Sequence, residues 1–209
     1  MLSSEEECDV RNSAKLSAAL LILLFSLWGP ALVFSQVSKK DVYDLGRLKP
    51  IDSVLKVKVG EPAPDFVLPS VSGKKISLSQ FVGEKNVVLS FVPAAFTPVC
   101  SQQFPGYNIV KDVFDETDTV LLGITVDNIP TLHAWTRRMG TVWFHVLSDF
   151  WPHGAVAKEY GVFRSDGLTE RAVFIIDKEG IIRFIQVSDI NIKPDPAVCA
   201  LELKKLGRQ

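Results

Sequence analysis

The stretch "VVLSFVPAAFTPVC", residues 87–100, decides the fold of this chain, because an apolar run leads through two prolines to a cysteine. Residues 87–92 form a short apolar run rich in valine, which predicts a buried strand. Beyond the cysteine, apolar residues recur at helical spacing, at Phe104, Tyr107, Val110 and Phe114. Cys100 is therefore predicted to lie at the junction between a strand and a helix.

Segments on the C-terminal side of this junction predict the rest of the architecture. The run "TVLLGITV" (119–126) predicts a second buried strand, and a helix is expected to begin near Pro130. The runs "AVFIID" (172–177) and "IIRFIQV" (181–187) flank a short turn that contains glycine and predict a hairpin, and a last helix is expected over about 195–206. This order predicts an α/β chain with a thioredoxin-like fold, in which a mixed central sheet has helices on both faces.

Composition excludes several classes of protein. The chain has 209 residues, a formal net charge of −1 and no basic block, so it resembles an ordinary globular protein and no nucleic-acid partner is expected. Its three cysteines, Cys8, Cys100 and Cys199, form neither a CxxC pair nor a cluster with histidine at metal-ligand spacing. A disulfide framework and a structural zinc site are therefore not predicted.

An uncharged apolar run of 19 residues, 16–34, lies close to the N-terminus and is long enough to cross a bilayer. The alternatives are a signal peptide cleaved after Ser35, an uncleaved anchor that would make the membrane a partner, and a buried core helix. Lysine and arginine after the run slightly favour a cytoplasmic location for the C-terminal part of the chain, but the orientation stays open. The sequence thus predicts a protein that is membrane-anchored or secreted, on an undetermined side of the membrane.

Three regions are predicted along the chain. Residues 1–35 contain the signal peptide or anchor, and residues 36–54 are polar, mixed in charge and without periodicity, which is typical of a linker. Residues 55–209 remain for one catalytic domain, and that length is enough for a single well-filled core.

Cys100 allows two interpretations. A lone cysteine beside an apolar strand is often an inert packing residue. A cysteine at the start of a helix can instead be a nucleophile, because unpaired N–H groups of the first turn and the helix dipole stabilise a thiolate. Pro93 and Pro98 restrict the backbone before the cysteine, and Thr97 offers a hydroxyl three residues ahead of it.

The spacing of these residues favours the nucleophile. Pro93, Thr97 and Cys100 form the motif PxxxTxxC, and three further segments agree in order: "VGEPAPDFVLP", "LSDFWPHGAVAKEYGVF" and "ERAVFIIDKEGIIRF". On these residues the chain resembles the peroxiredoxins of the AhpC/TSA superfamily over about residues 55–206. The segments "FWPHGAV" and "AFT" make it most similar to the one-cysteine, alkyl hydroperoxide reductase E type.

The resemblance implies a role for four residues. Cys100 would be the peroxidatic nucleophile, Pro93 would shield its thiolate, Thr97 would orient the peroxide, and Arg171 would stabilise the thiolate and polarise the O–O bond. Many members carry glutamate three residues after the cysteine, whereas this chain has Gln103. No metal, haem or flavin is implied as a cofactor.

The implied activity is that of a thiol-dependent peroxidase, which reduces hydrogen peroxide or organic hydroperoxides through a cysteine sulfenic acid. A thioredoxin-like, glutaredoxin-like or small-thiol reductant would restore the thiol, and a homodimer or larger homo-oligomer is expected. The alternatives are a membrane-tethered thiol–disulfide carrier, although Thr97 stands where a CxxC would have its first cysteine, and an inactive binding module on the same fold. Cys199 shares a helical face with Leu203 and Leu206, so a packing role is predicted rather than a resolving one.

Overall fold

The computed structural model describes residues 37–140 and 142–207 of the chain. Its strands, in chain order, are β1 (Val67–Pro69), β2 (Lys75–Ser77), β3 (Asn86–Phe91), β4 (Thr119–Thr125), β5 (His145–Ser148), β6 (Arg171–Ile176) and β7 (Ile182–Ser188). Its α-helices are α1 (Cys100–Gly106), α2 (Lys111–Glu116), α3 (Ile129–Met139), α4 (Ala155–Tyr160) and α5 (Pro196–Leu206).

The central sheet has five strands in the order β5-β4-β3-β6-β7. Strands β3, β4 and β5 run parallel, whereas β6 is antiparallel to both β3 and β7. Because β3 lies in the middle of the sheet, five of its six residues are buried, which explains its nearly continuous apolar sequence. The predicted mixed sheet is confirmed.

Side chains on the two faces of the sheet form two separate apolar clusters. One cluster contains residues of α4 and of the β1–β2 hairpin, such as Tyr160 and Ile76. The other contains residues of α1, α2, α3 and α5, among them Phe104, Trp135 and Leu203. Helices therefore cover both faces, as the thioredoxin-like prediction requires.

The helical segment after the cysteine is interrupted near Pro105. A 3-10 turn over Tyr107–Val110 separates α1 from α2. Pro105 lies inside α1 and has no N–H to donate to the preceding turn, which weakens the helix at this point. The two other predicted helices begin where the sequence indicates, because the side chains of Asn128 and Asp195 cap α3 and α5.

Residues 43–56, which we call the strap, cross the surface of the domain ahead of β1. The strap begins where the Tyr43 N–H donates to the carbonyl of Phe96 at 2.7 Å, and it ends where the Lys56 N–H donates to the carbonyl of Tyr160 at 3.3 Å. Gly161 makes this second approach possible, since a Cβ there would lie 2.4 Å from the Lys56 nitrogen. The predicted boundaries of the three regions stay a prediction, because residues 1–36 lie outside the described part of the chain.

The predicted localisation, membrane-anchored or secreted, is corrected by the structure. Across residues 37–140 and 142–207, no helix is both long and apolar enough to span a bilayer. The longest described helices, α3 and α5, have 11 residues each. At about 1.5 Å per residue such a helix falls well short of a hydrocarbon core about 30 Å thick. The run 16–34, on which the prediction depended, lies outside the described residues.

Candidate active site

The site is built at the turn between β3 and α1. Within this turn the Thr97 hydroxyl donates to the carbonyl of Ala94 at 2.9 Å, and the Asp127 carboxylate accepts the Ala95 N–H at 2.7 Å. Phe96 adopts a φ of 57°, in the left-handed region that a non-glycine residue enters only at a cost. The turn thus holds a strained backbone in one shape immediately before Cys100.

Three N–H groups at the start of α1 already donate to backbone carbonyls, which differs from the sequence-based expectation. Ser101 N–H donates to Thr97 O at 3.0 Å, while the N–H groups of Gln102 and Gln103 donate to Val99 O at 3.1 and 2.9 Å. The reason is that Val99 already has helical backbone angles, so hydrogen bonding starts ahead of the cysteine. These three N–H groups are therefore not available to a Cys100 thiolate.

Arg171 is positioned beside the sulfur of Cys100, where its guanidinium can stabilise a thiolate. It is the first residue of β6, and β6 pairs with β3 so that Ala172 lies opposite Phe91, the last residue before the turn. This pairing brings the Arg171 side chain to Cys100, where Nη1 and Nη2 each lie 3.6 Å from Sγ. Both residues are buried, with exposed fractions of 2% and 0%. Two N–H groups of a cation thus face the sulfur in a dry environment.

Uncharged oxygens hold the guanidinium in place. The carbonyl of Ile190 accepts from Arg171 Nε at 3.2 Å and from Nη2 at 2.9 Å, and Gln103 Oε1 accepts from Nη1. Gln103 is itself positioned by Ser90, whose hydroxyl accepts from its side-chain amide at 3.3 Å. Within the described residues no carboxylate forms a hydrogen bond or ion pair with Arg171, although its charge also acts on Asp189 and helps to lower the pKa of that carboxyl group.

A cavity of about 480 Å³ opens onto this centre. Pro93, Thr97 and Arg171 line it, whereas Cys100 lies immediately behind the guanidinium. The structure therefore brings the four predicted site residues together. Strap residues and the turn after β7 complete the lining. Sequence reasoning misses this contribution, because the polar region before the domain is predicted to be a linker.

The second described cysteine lies in a different setting. Cys199 is buried within α5, on the same helical face as Leu203, and its side chain packs in the apolar cluster. Burial, with a smaller contribution from the charge of Glu202, raises the pKa of the Cys199 thiol to about 12. Among the described residues, no cation beside Cys199 corresponds to the Arg171 guanidinium beside Cys100.

Comparison with known proteins identifies the family of this chain. A family model described as the AhpC/TSA family matches residues 59–185. The match covers more than half of the 209 residues, and the chain belongs to the AhpC/TSA family.

Individual relatives point in the same direction. The chain is 39% identical over 132 residues to alkyl hydroperoxide reductase E of Mycobacterium tuberculosis, an alignment that covers 63% of this chain and 86% of that protein. It is 35% identical over 148 residues to peroxiredoxin-1 of Gallus gallus, covering 66% and 73% of the two chains. The structure of reduced 2-Cys peroxiredoxin from Plasmodium vivax matches with a TM-score of 0.68 and 29% identity, over 72% of this chain and 82% of that chain. The predicted family and fold are confirmed.

Proposed function

We propose that this protein is a thiol-dependent peroxidase in which Cys100 reduces hydrogen peroxide or an organic hydroperoxide. The observation that carries the proposal is the pair of 3.6 Å contacts from the Arg171 guanidinium to Cys100 Sγ at the inner end of the cavity. A buried thiolate needs such a cation, because burial alone disfavours the charged form. Family membership and the names of the relatives support the same activity.

The reaction follows from the position of the sulfur. The Cys100 thiolate attacks the terminal oxygen of the peroxide, so that an S–O bond forms while the O–O bond breaks. The electron pair of the O–O bond leaves with the second oxygen, which takes up a proton and departs as water or an alcohol. Cysteine is oxidised to sulfenic acid and the peroxide is reduced. Arg171 stabilises both the attacking thiolate and the negative charge that develops on the leaving oxygen.

Thr97 and Pro93 complete the site. The Thr97 hydroxyl donates its proton to the carbonyl of Ala94, and its lone pairs are therefore available to accept a hydrogen bond from the O–H of a peroxide. Pro93 lines the cavity without offering an N–H of its own. It shields the sulfur from water, while Thr97 orients the substrate.

A complete cycle needs an external thiol. The sulfenic acid must be reduced before further peroxide drives it to sulfinic acid, which is the next step of cysteine oxidation. A thioredoxin-like, glutaredoxin-like or small-thiol reductant fits this requirement, and the resemblance to peroxiredoxins supports a homodimer or larger homo-oligomer. Neither step requires a metal or an organic cofactor.

The test is peroxide treatment of the reduced full chain, with peroxide consumption and intact mass followed together. We expect one added oxygen on Cys100, trapped by a sulfenate-specific reagent and located by peptide mapping. A protein that consumes no peroxide, or that forms its sulfenate at another residue, would refute the proposal.

A further inference from the structure

The outer part of the cavity is built from segments outside the region that matches the family model. Five lining residues belong to the strap and four belong to the turn after β7, whereas five lie within residues 59–185. Leu45 and Leu48 of the strap and Ile190 and Ile192 of the turn supply apolar side chains. The inner end, at Thr97 and Arg171, is polar and adjoins the sulfur. The cavity therefore has a reactive inner end and an apolar outer wall.

The strap is firmly bound where it lines the cavity. The side chain of Asn191 accepts from the Leu48 N–H and donates to the Leu48 carbonyl, both at 2.9 Å. Ile190 N–H donates to the carbonyl of Pro50 at 3.1 Å, and Arg164 Nη2 donates to the carbonyl of Lys49 at 3.0 Å. Because its backbone is held at Leu48, Lys49 and Pro50, the strap presents Leu48 in a defined position, and Leu45 lies between these bonds and the one at Tyr43.

The buried ion pair of Arg164 and Glu170 strengthens this attachment. Arg164 Nη1 lies 2.8 Å from Glu170 Oε2, and the two side chains are 1% and 0% exposed. Glu170 also accepts the N–H of Asp52, and the Asp52 carboxylate accepts the Ser165 N–H at 3.0 Å. Buried polar side chains of the domain thus bind the strap.

The turn after β7 links the strap to the reactive centre. Ile190 donates its N–H to the strap at Pro50, and its carbonyl accepts from Nε and Nη2 of Arg171. Ile190 is therefore bonded both to Arg171 and to the strap that forms the outer wall of the cavity. The distance between wall and sulfur is consequently determined by the fold.

We propose that the strap makes the site selective for hydroperoxides with an apolar organic group, and that Leu45 and Leu48 are its specificity-determining residues. This inference rests on the proposed peroxidase function. A cavity of about 480 Å³ far exceeds the room that hydrogen peroxide needs, since a water molecule occupies only about 30 Å³ in the liquid. With the O–O bond at Arg171, the organic group extends toward the leucines.

The charges that line the cavity favour an uncharged substrate. Arg47 and Arg171 are matched by Asp44 and Asp189, so the lining carries no net charge. Discrimination between substrates must then come from contact with the apolar lining. The binding free energy from this contact grows with the apolar area that the substrate removes from water.

The experiment compares two peroxides in the reduced full chain. Second-order rate constants for sulfenate formation are measured with cumene hydroperoxide and with hydrogen peroxide, and their ratio is the readout. We expect the ratio to fall about tenfold in a Leu45→Ala, Leu48→Ala double variant, which corresponds to about 1.4 kcal/mol of lost transition-state binding. Leu45→Ala alone should lower the ratio by a smaller factor in the same direction.

Leu55→Ala is the matched control. Leu45 and Leu55 belong to the same strap and are each 40% exposed, but only Leu45 lines the cavity. The control should leave both rate constants unchanged. An unaltered ratio in the leucine variants, or an equal fall in Leu55→Ala, would overturn the inference while the proposed function stood. A wild-type chain that consumed neither peroxide would remove both.

Discussion

The two described cysteines are both buried, yet they differ in the charge around them. Cys100 and Cys199 are 0% and 3% exposed, and both pack in the same apolar cluster. Cys100 has two guanidinium N–H groups of Arg171 within 3.6 Å of its sulfur. At Cys199, burial and the negative charge of Glu202 both disfavour a thiolate. Burial is therefore common to both cysteines, and the guanidinium beside Cys100 is what distinguishes their surroundings.

The environment of Cys199 explains why it is suited to packing. Burial raises the pKa of Tyr107 well above its ordinary value, and the nearby Cys199 raises it further. Both groups stay neutral at physiological pH and can be accommodated in an apolar cluster without a partner charge. The same apolar cluster also contains Cys100, which differs from Cys199 because the Arg171 guanidinium lies beside its sulfur.

Replacing the reactive sulfur should have the largest effect. Cys100→Ser keeps nearly the same shape but removes the nucleophile, because a serine hydroxyl does not ionise near neutral pH. We expect peroxide consumption to fall by at least about a thousandfold, to the level of the background reaction. The measurement is the initial rate of peroxide loss with excess external thiol. Turnover close to that of the wild type would locate the activity at another residue, and the comparison of the two cysteines would lose its basis.

Removing the cation should have the next largest effect. Arg171→Met keeps an unbranched apolar stem and removes the charge, so the attacking sulfur and the leaving oxygen both lose the cation that would stabilise them. We expect the rate of sulfenate formation to fall about a hundredfold, or about 2.7 kcal/mol.

A second arginine of the same sheet provides the control for this variant. Arg183 pairs with Asp177 at a half-exposed position of β7, away from the cavity lining. Arg183→Met should leave the rate of sulfenate formation unchanged. Equal losses in the two variants would mean that Arg171 acts on the stability of the sheet rather than on the sulfur.

The strand-turn-helix unit around Cys100 can be predicted from sequence, because apolar spacing reports which side chains are buried. The position of Arg171 cannot be derived in this way. It lies 71 residues after Cys100, and only the pairing of β6 with β3 brings the two together. Arg171 is predicted as a site residue only through the resemblance to the AhpC/TSA peroxiredoxins. The prediction of unpaired N–H groups in the first turn is wrong at Ser101, Gln102 and Gln103, because Val99 is already helical.

The strap is the least predictable part of the site. Its sequence is polar and without periodicity, which is also the signature of a linker. Its attachment depends on backbone groups and on Asn191, which lies 143 residues after Leu48. Backbone hydrogen bonds leave little trace in the identity of the side chains that flank them. Composition alone therefore cannot separate a bound segment from a free one.

A negative charge placed beside Arg171 should have a moderate effect on the rate of sulfenate formation at Cys100. Gln103→Glu keeps the shape of the side chain and its bond to Nη1, but it pairs the guanidinium with a carboxylate. Part of the attraction between Arg171 and the thiolate is then cancelled, and we expect sulfenate formation to slow about fivefold. Stopped-flow kinetics over a range of ionic strength measures the change.

Gln102→Glu is the control for the Gln103 variant, because Gln102 is an exposed neighbour in the same helix. It adds the same charge at a position that does not bond to Arg171. We expect its rate to stay within about twofold of the wild type. If both variants slowed equally, net charge near the helix would be responsible, and the specific pairing at Gln103 would be excluded.

The smallest effect on catalysis is expected at Cys199. Cys199→Ala should change peroxide turnover with an external thiol by less than about twofold, because the thiol lies within α5 and would have to leave the core to reach Cys100. Loss of recycling in this variant, together with a Cys100–Cys199 disulfide in the peptide map of the oxidised wild type, would contradict the packing role.

The pH dependence of stability gives Cys199 a positive test. Its folded-state pKa of about 12 lies above the ordinary value of 9.0, so the unfolded chain releases this proton first as the pH rises. The stabilising contribution is therefore complete below about pH 9 and is lost as the pH approaches 12, by about 1.4 kcal/mol for each pH unit. Denaturant unfolding should show the wild type losing more stability than Cys199→Ala between about pH 9 and pH 11. Tyr107 titrates in both proteins, so their difference isolates the thiol, and parallel curves would mean that Cys199 is not held as a neutral group by burial.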